Sequence, residues 1–251
     1  TIMRWSFPWK GAANTDEPIN RSAEGAWAVF VAAGSGSRMG GVSKPLLPLD
    51  GEPLLLHTLR AFEAASEIDG VVVVSPPGEE AAFAVLARDA GIGKLRRVVA
   101  GGDTRQRSAA NGVRACEAAY CAVHDAARPL IRPAVIDAVV KAARRTGAAA
   151  AAVPCKDTVK VADENGGVRT TPDRRFLWSV QTPQVLERAL YLRAFAAAEA
   201  KGQSFSDDCQ LAEMLGVTVQ MVLSDYGNIK ITTPEDLPIA QALLQMRRER
   251  E

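Results

Sequence analysis

A single three-layer α/β domain is the fold this sequence predicts: a mostly parallel sheet covered by helices on both faces, with one β-hairpin arm projecting from it. Three observations carry that prediction. From Trp27 onward, short β-branched or alanine-rich apolar runs alternate with longer amphipathic stretches, the order that sets parallel strands between crossover helices. The rhythm breaks over residues 155–178, where polar and β-branched residues alternate around Asn165-Gly166-Gly167, a hairpin signal. At 251 residues, 47% hydrophobic and 24% charged, the chain can bury one extended core.

Residues 1–25 are polar, hold two prolines and show no sustained periodicity; they read as a flexible extension or expression remnant, leaving 26–251 as the domain. WAVFV (27–31) suits a buried strand, and LLLHTLRAFEAA a helix beginning near Pro53. GVVVVS, LRRVVAGG and AYCAVHDAARP read as strands, and EEAAFAVLARDAG, RSAANGVRACEAA and residues 134–145 as helices. AAAAAVP (148–154) is ambiguous, because alanine favours helix while its place in the alternation favours strand; strand is the expectation. The arm at about 155–178 would expose strand edges that a second copy of the chain could satisfy, so a homodimer is expected.

The formal net charge is +1, so no general basic field exists to attract nucleic acid or an anionic membrane, and any anion site must be built locally. No apolar run is long enough to span a bilayer, and the N-terminal residues lack the apolar core of a signal peptide. Cys116, Cys121, Cys155 and Cys209 are scattered without a disulfide framework. These features together lead to the expectation of a cytoplasmic protein. Cys116, Cys121 and His124 have no suitably spaced fourth partner for zinc.

AAGSGSRMGGVSK (32–44) lies between the first strand and the first helix. Glycines let backbone approach a ligand closely and leave N–H groups pointing outward as an anion nest. A triphosphate is the natural guest, and Arg38 and Lys44 would add positive charge where phosphate oxygens crowd. The same residues also suit an ordinary turn carrying surface cations. His57 and His124 read as packing and hydrogen-bonding residues.

Six segments now stand in order: AAGSGSRMGGVSK, GGDTRQRS, VHDAARP, KDTVK, DRRFLWSVQTPQ and DYGNIKITTPEDL. In this order the chain resembles the 2-C-methyl-D-erythritol 4-phosphate cytidylyltransferases, over roughly residues 27–245. The resemblance implies a nucleotide-diphospho-sugar transferase-like (Rossmann-like) fold and the reaction of CTP with methylerythritol 4-phosphate to give CDP-methylerythritol and pyrophosphate, in non-mevalonate isoprenoid biosynthesis. A phosphate monoester has a second pKa of about 6, so the acceptor is already an ionised nucleophile and needs no catalytic His, Ser or Cys. The task left to the protein is bringing two polyanions together in line.

By the same resemblance, Arg38 and Lys44 stabilise charge on the α-phosphate, and Arg174 and Lys230 position the nucleophile. Ala32, Ala33, Gly34, Gly36, Gly101, Gly102, Asp103 and Ser108 bind the nucleotide; Asp125, Arg128, Thr158 and Thr182 bind the phosphorylated polyol. Mg²⁺ is expected chiefly on the CTP phosphates, with its protein ligands unknown. The arm is expected to reach across a dimer interface, so that Thr158 and Arg174 serve the partner's site, while Leu177 and Trp178 read as core or interface anchors. An Asp173–Arg174 surface pair is a competing local reading.

The chain departs from the family pattern in two places. Ser43-Lys44-Pro45-Leu46 stands where Pro-Lys-Gln and an aromatic are usual, and Lys156 stands where an Arg often precedes Asp-Thr. A ribitol 5-phosphate cytidylyltransferase, or a non-catalytic nucleotide-binding regulator, therefore stays open. A dinucleotide-dependent oxidoreductase fits less well, because Met39 falls at the third fingerprint glycine.

Overall fold

The computed structural model describes residues 25–34 and 43–249. The first strand, β1 (Ala26–Val31), is followed by a small two-stranded turn, β2 (Pro48–Leu49) and β3 (Glu52–Pro53), that leads into α1 (Leu54–Ala64). Strand and helix then alternate through β4 (Gly70–Ser75), α2 (Glu80–Asp89), β5 (Leu95–Ala100), α3 (Arg105–Ala115), β6 (Tyr120–Asp125), α4 (Pro133–Thr146) and β7 (Ala148–Pro154). Next come the arm strands β8 (Val161–Ala162) and β9 (Val168–Thr170), then β10 (Trp178–Glu187), α5 (Arg188–Ala200), α6 (Cys209–Met214), β11 (Gln220–Leu223) and α7 (Asp236–Arg248).

The main sheet has seven strands in the order β11-β7-β10-β6-β1-β4-β5. All its pairings are parallel except those of β10, which runs antiparallel to both β6 and β7. Successive residues of a strand point to opposite faces, and two cores follow from that alternation. Ala28 and Phe30 join Leu59, Phe62 and Val139 on one face, while Val29 joins Ala109, Val113, Tyr191 and Leu211 on the other. Thus α1, α2 and α4 cover one side and α3, α5 and α6 the other, the predicted three layers.

The alanine run resolves as strand. Ala149 and Ala151 face the first core, Ala148 and Ala150 the second, and all are fully buried. A strand buried on both faces between β10 and β11 needs small apolar side chains, and that tertiary demand outweighs alanine's local helix preference. Gly147 ends the preceding helix with φ +85° and donates its N–H to Ala143 O at 2.7 Å, the left-handed cap that a side chain would oppose.

The arm is a hairpin as predicted, and every residue of β8 and β9 is exposed. Trp178 is exposed and Leu177 only partly buried, so within one chain neither is a core anchor, and neighbouring Phe176 is 78% exposed. The competing Asp173–Arg174 pair is not formed: Asp173 pairs instead with Arg175 at 2.6 Å, because the 3₁₀ turn at Arg174–Phe176 is capped by the Asp173 side chain accepting from Arg175 N. Most of the N-terminal extension falls outside the described residues.

Candidate active site

Parallel strands bring their carboxyl ends to one edge of the sheet, where open α/β folds collect ligands. There the segments after β1, β5 and β6 and the loop after β11 enclose a cleft of about 520 Å³, lined by Ala32, Ala33, Gly34, Lys44, Gly102, Asp103, Ser108, Asp125 and Lys230 among others. A smaller recess of about 240 Å³ adjoins it and shares Arg105, Asp125 and Lys230; Arg128 and Thr182 line it. Arg38 and Gly36 lie outside the described residues. Thr158 and Arg174 are exposed on the arm and line neither cavity; Arg174 Nη1 donates to Lys156 O at 3.3 Å.

The turn after β5 is shaped from within. Thr104 caps α3 by accepting from Arg107 N, and Ser108 Oγ accepts from Gly102 N at 3.0 Å while lying 2.9 Å from Thr104 O. Ser108 is thus a buried brace of the turn, and the Gly102 N–H is engaged internally. Gly101 does not line the cleft: a Cβ there would fall 2.3 Å from Ala33 Cβ, so its bare backbone lets the β1 and β5 loops approach each other. Asp103 is exposed and pairs with Arg107 at 2.7 Å.

The charged centre is Asp125, at the last position of β6. Its Oδ1 lies 3.0 Å from Arg105 Nη2 and its Oδ2 2.8 Å from Lys230 Nζ and 3.9 Å from Arg128 Nε. Burial works to raise the Asp125 pKa, but Arg105, Lys230 and Arg128 together hold it well below the ordinary carboxylate range. Burial alone would weaken the charge on Arg105, yet Asp208 and Asp125 raise its pKa. Burial is the chief influence on Arg128 and lowers its pKa; Arg128 Nη1 donates to Asn228 O at 2.8 Å.

Thr182 reaches this centre because the pairing of β10 shifts register between Val180 and Gln184, an irregularity of the kind that re-aims side chains beside active sites. Its Oγ1 accepts from Asp125 N at 3.1 Å and lies 3.0 Å from His124 Nδ1. His124 Nε2 lies 3.2 Å from Arg128 O, and a carbonyl can only accept, so Nε2 carries the proton and Nδ1 accepts from Thr182. Full burial pushes the His124 pKa down to about 3. His124 is therefore a neutral structural residue, as its sequence context led us to expect, and His57 Nε2 likewise bonds the Leu49 carbonyl at 2.7 Å.

Four participants were not singled out in the sequence: Arg105, Asp208, Gln181 and Asn228. Asn228 Nδ2 donates to Gln181 Oε1 at 2.9 Å and to Thr182 O at 3.0 Å, which ties the Lys230 loop to β10. Arg105, Gln181 and Asn228 lie within the ordered segments GGDTRQRS, DRRFLWSVQTPQ and DYGNIKITTPEDL, whereas Asp208 lies outside all six. Among the described residues no three His, Cys, Asp or Glu side chains gather as a metal site, and both Asp125 oxygens already face cations. The residues present thus fit a metal carried on a ligand's phosphates better than one held by the protein.

Comparison with known proteins agrees with this geometry. The family model described as "IspD: 2-C-methyl-D-erythritol 4-phosphate cytidylyltransferase" matches residues 26–246. The chain is 47% identical over 224 residues to the 2-C-methyl-D-erythritol 4-phosphate cytidylyltransferase of Desulforamulus reducens, covering 88% of this chain and 96% of that protein. It is 46% identical over 227 residues to the protein of the same name from Pelotomaculum thermopropionicum, covering 89% and 95%. Among solved structures, the 4-diphosphocytidyl-2C-methyl-D-erythritol synthase of Anaerococcus prevotii superposes with a TM-score of 0.80 at 30% identity, covering 88% of this chain and 96% of that one.

Proposed function

The chain belongs to the 2-C-methyl-D-erythritol 4-phosphate cytidylyltransferase family, and from this we infer that it transfers a cytidylyl group from CTP to 2-C-methyl-D-erythritol 4-phosphate, releasing pyrophosphate, in non-mevalonate isoprenoid biosynthesis. The observation that carries the inference is the cationic centre at the strand ends, Arg105, Arg128 and Lys230 around Asp125, with neither histidine placed as a base. An acceptor whose phosphate is already ionised needs positive charge and alignment rather than proton abstraction.

In this reading Ala32, Ala33, Gly34 and Gly36 cradle the nucleotide, and Gly102 and Asp103, on a turn braced by Ser108 and set close to Ala33 by Gly101, line the cleft at the end that would take the base. Lys44 and Arg38 oppose the charge that develops on the α-phosphate during attack. Asp125, Arg128 and Thr182 receive the polyol phosphate beside Lys230, in the recess adjoining the cleft. Mg²⁺ is proposed to arrive on the CTP phosphates, where it would neutralise charge on the pyrophosphate leaving group.

The arm is proposed to complete the site of a second copy, with Thr158 and Arg174 reaching the partner's polyol phosphate. Its exposed apolar residues, Val161, Val168, Phe176 and Trp178, support a homodimer, because an isolated chain would leave them in water. A cytoplasmic setting belongs to the same proposal and is supported by four free cysteines. No described helix is long and apolar enough to cross a membrane.

The test is pyrophosphate release from CTP and Mg²⁺ with methylerythritol 4-phosphate or ribitol 5-phosphate as acceptor. Turnover is expected with the first. Turnover with ribitol phosphate alone would overturn the assignment, and CTP binding without turnover of either would mark a non-catalytic binder.

A further inference from the structure

Arg105, the first residue of α3, joins two carboxylates that lie far apart in the chain. Its Nη2 stands 3.0 Å from Asp125 Oδ1 and 2.9 Å from Asp208 Oδ2, and its Nε 3.3 Å from Asp125 Oδ1. Asp125 faces the cleft, whereas Asp208 is 1% exposed at the start of α6. Asp208 is held on every side: Tyr191 Oη donates to its Oδ1 at 2.9 Å, and Gln184 Oε1 accepts the N–H groups of Asp208 and Cys209 at 2.8 and 2.9 Å. One end of the bridge is therefore fixed in the second core and the other is the carboxylate that meets substrate.

We propose that Arg105 is a positioning residue for the polyol-phosphate half of the reaction: anchored by Asp208, it holds the Asp125 carboxylate in place while Lys230 turns from Asp125 to the incoming phosphate. The proposal rests on the cytidylyltransferase reading given above. Asp125 is shared between Arg105 on Oδ1 and Lys230 on Oδ2. A phosphate entering the recess competes for Lys230, and without a second, stationary partner the carboxylate would follow the lysine or rotate away from the polyol. Arg105 and Lys230 together balance the two carboxylates, Asp125 and Asp208, and with Lys230 engaged by the phosphate Arg105 is the cation left to fix the position of Asp125. Nε and Nη2 of Arg105 both bear on Asp125 Oδ1 while Nη2 also meets Asp208 Oδ2, a planar fork that a point ammonium does not reproduce.

Removing Arg105 alone strands Asp208 as a buried unpaired anion, which is strongly destabilising. The primary test is therefore the double variant R105M/D208N, which removes one cation and one anion together, with R105K beside it. At saturating CTP-Mg²⁺, kcat/KM for methylerythritol 4-phosphate is expected to fall on the order of ten- to a hundredfold, the scale of a small misplacement of reacting groups, while the KM for CTP does not move. R105K, which keeps charge but not the fork, is expected to fall between the double variant and the wild type.

An unchanged kcat/KM for the polyol phosphate in the double variant would overturn the proposal. So would a fall in kcat with both KM values unchanged, the mark of a smaller folded fraction. A wild-type protein that fails to turn over methylerythritol 4-phosphate would instead sink the underlying assignment, a result visible before any variant is made.

Discussion

Lys230 Nζ and Asp125 Oδ2 stand 2.8 Å apart, joining the loop after β11 to the end of β6. The pair places the lysine at the mouth shared by the cleft and the recess, with Arg105 retained on the other oxygen of Asp125. Lys230→Met should therefore leave the fold intact, since Asp125 stays neutralised, while turnover falls on the order of a hundredfold through loss of a charged donor to phosphate. Steady-state pyrophosphate release measures it, and an unchanged turnover number would remove Lys230 from the reaction.

Lys44 lines the same cleft. If its charge matters most as the α-phosphate is attacked, Lys44→Ala should lower kcat on the order of 100- to 1000-fold and weaken CTP binding far less. Calorimetric titration with CTP beside single-turnover kinetics separates the two effects. Equal losses in both would make Lys44 a binding residue only.

His124 makes stability depend on pH. Its folded pKa is about 3 and its unfolded value about 6.5, so above the unfolded value both states are neutral and stability is full. Below it the unfolded chain takes up a proton that the folded chain refuses, and stability falls as pH falls. Between pH 7 and pH 5 the loss should be about 2 kcal/mol. The depressed carboxyl of neighbouring Asp125 acts below that window. Urea denaturation at the two pH values should show the slope in the wild type and its absence in His124→Gln, which keeps one donor and one acceptor.

Two glycines test close approach at different places. Gly101→Ala would drive a methyl to 2.3 Å from Ala33 Cβ, and Gly112→Ala would drive one to 2.3 Å from Val29 Cγ1 and 2.7 Å from Val74 Cγ2. Each should cost about 1–3 kcal/mol from overpacking. Only Gly101→Ala, which displaces the loop after β1, should also weaken CTP binding; equal affinities in the two variants would separate Gly101 from the nucleotide site.

In the proposed homodimer, the arm can be assigned to its own or its partner's site by mixing subunits. Arg174→Ala carries a defective arm on a sound core, and Lys230→Met the reverse. If the arm serves the partner, co-refolded variants form heterodimers with one intact site of two, and activity should rise well above that of either parent. No rise on mixing, with heterodimers demonstrated by mass, would show that each arm serves its own chain.

Much of this molecule was legible along the chain. The alternation of apolar runs and amphipathic stretches foretold every layer of the sheet, and Asn165-Gly166-Gly167 the arm, because strand period, helix period and turn chemistry are local properties of the backbone. The ordered segments also pointed to the strand ends where Ala32, Gly102, Asp125 and Lys230 meet. What the chain alone could not decide depends on neighbours remote in sequence. AAAAAVP became a strand only because helices cover both of its faces. Asp125 acquired Arg105 and Lys230 only when β6, α3 and the loop after β11 came together, and Arg105 acquired its fixed end only through Asp208 in the core. Burial and ion pairing are set by which surfaces meet, and that is a property of the packed sheet rather than of any one of its segments.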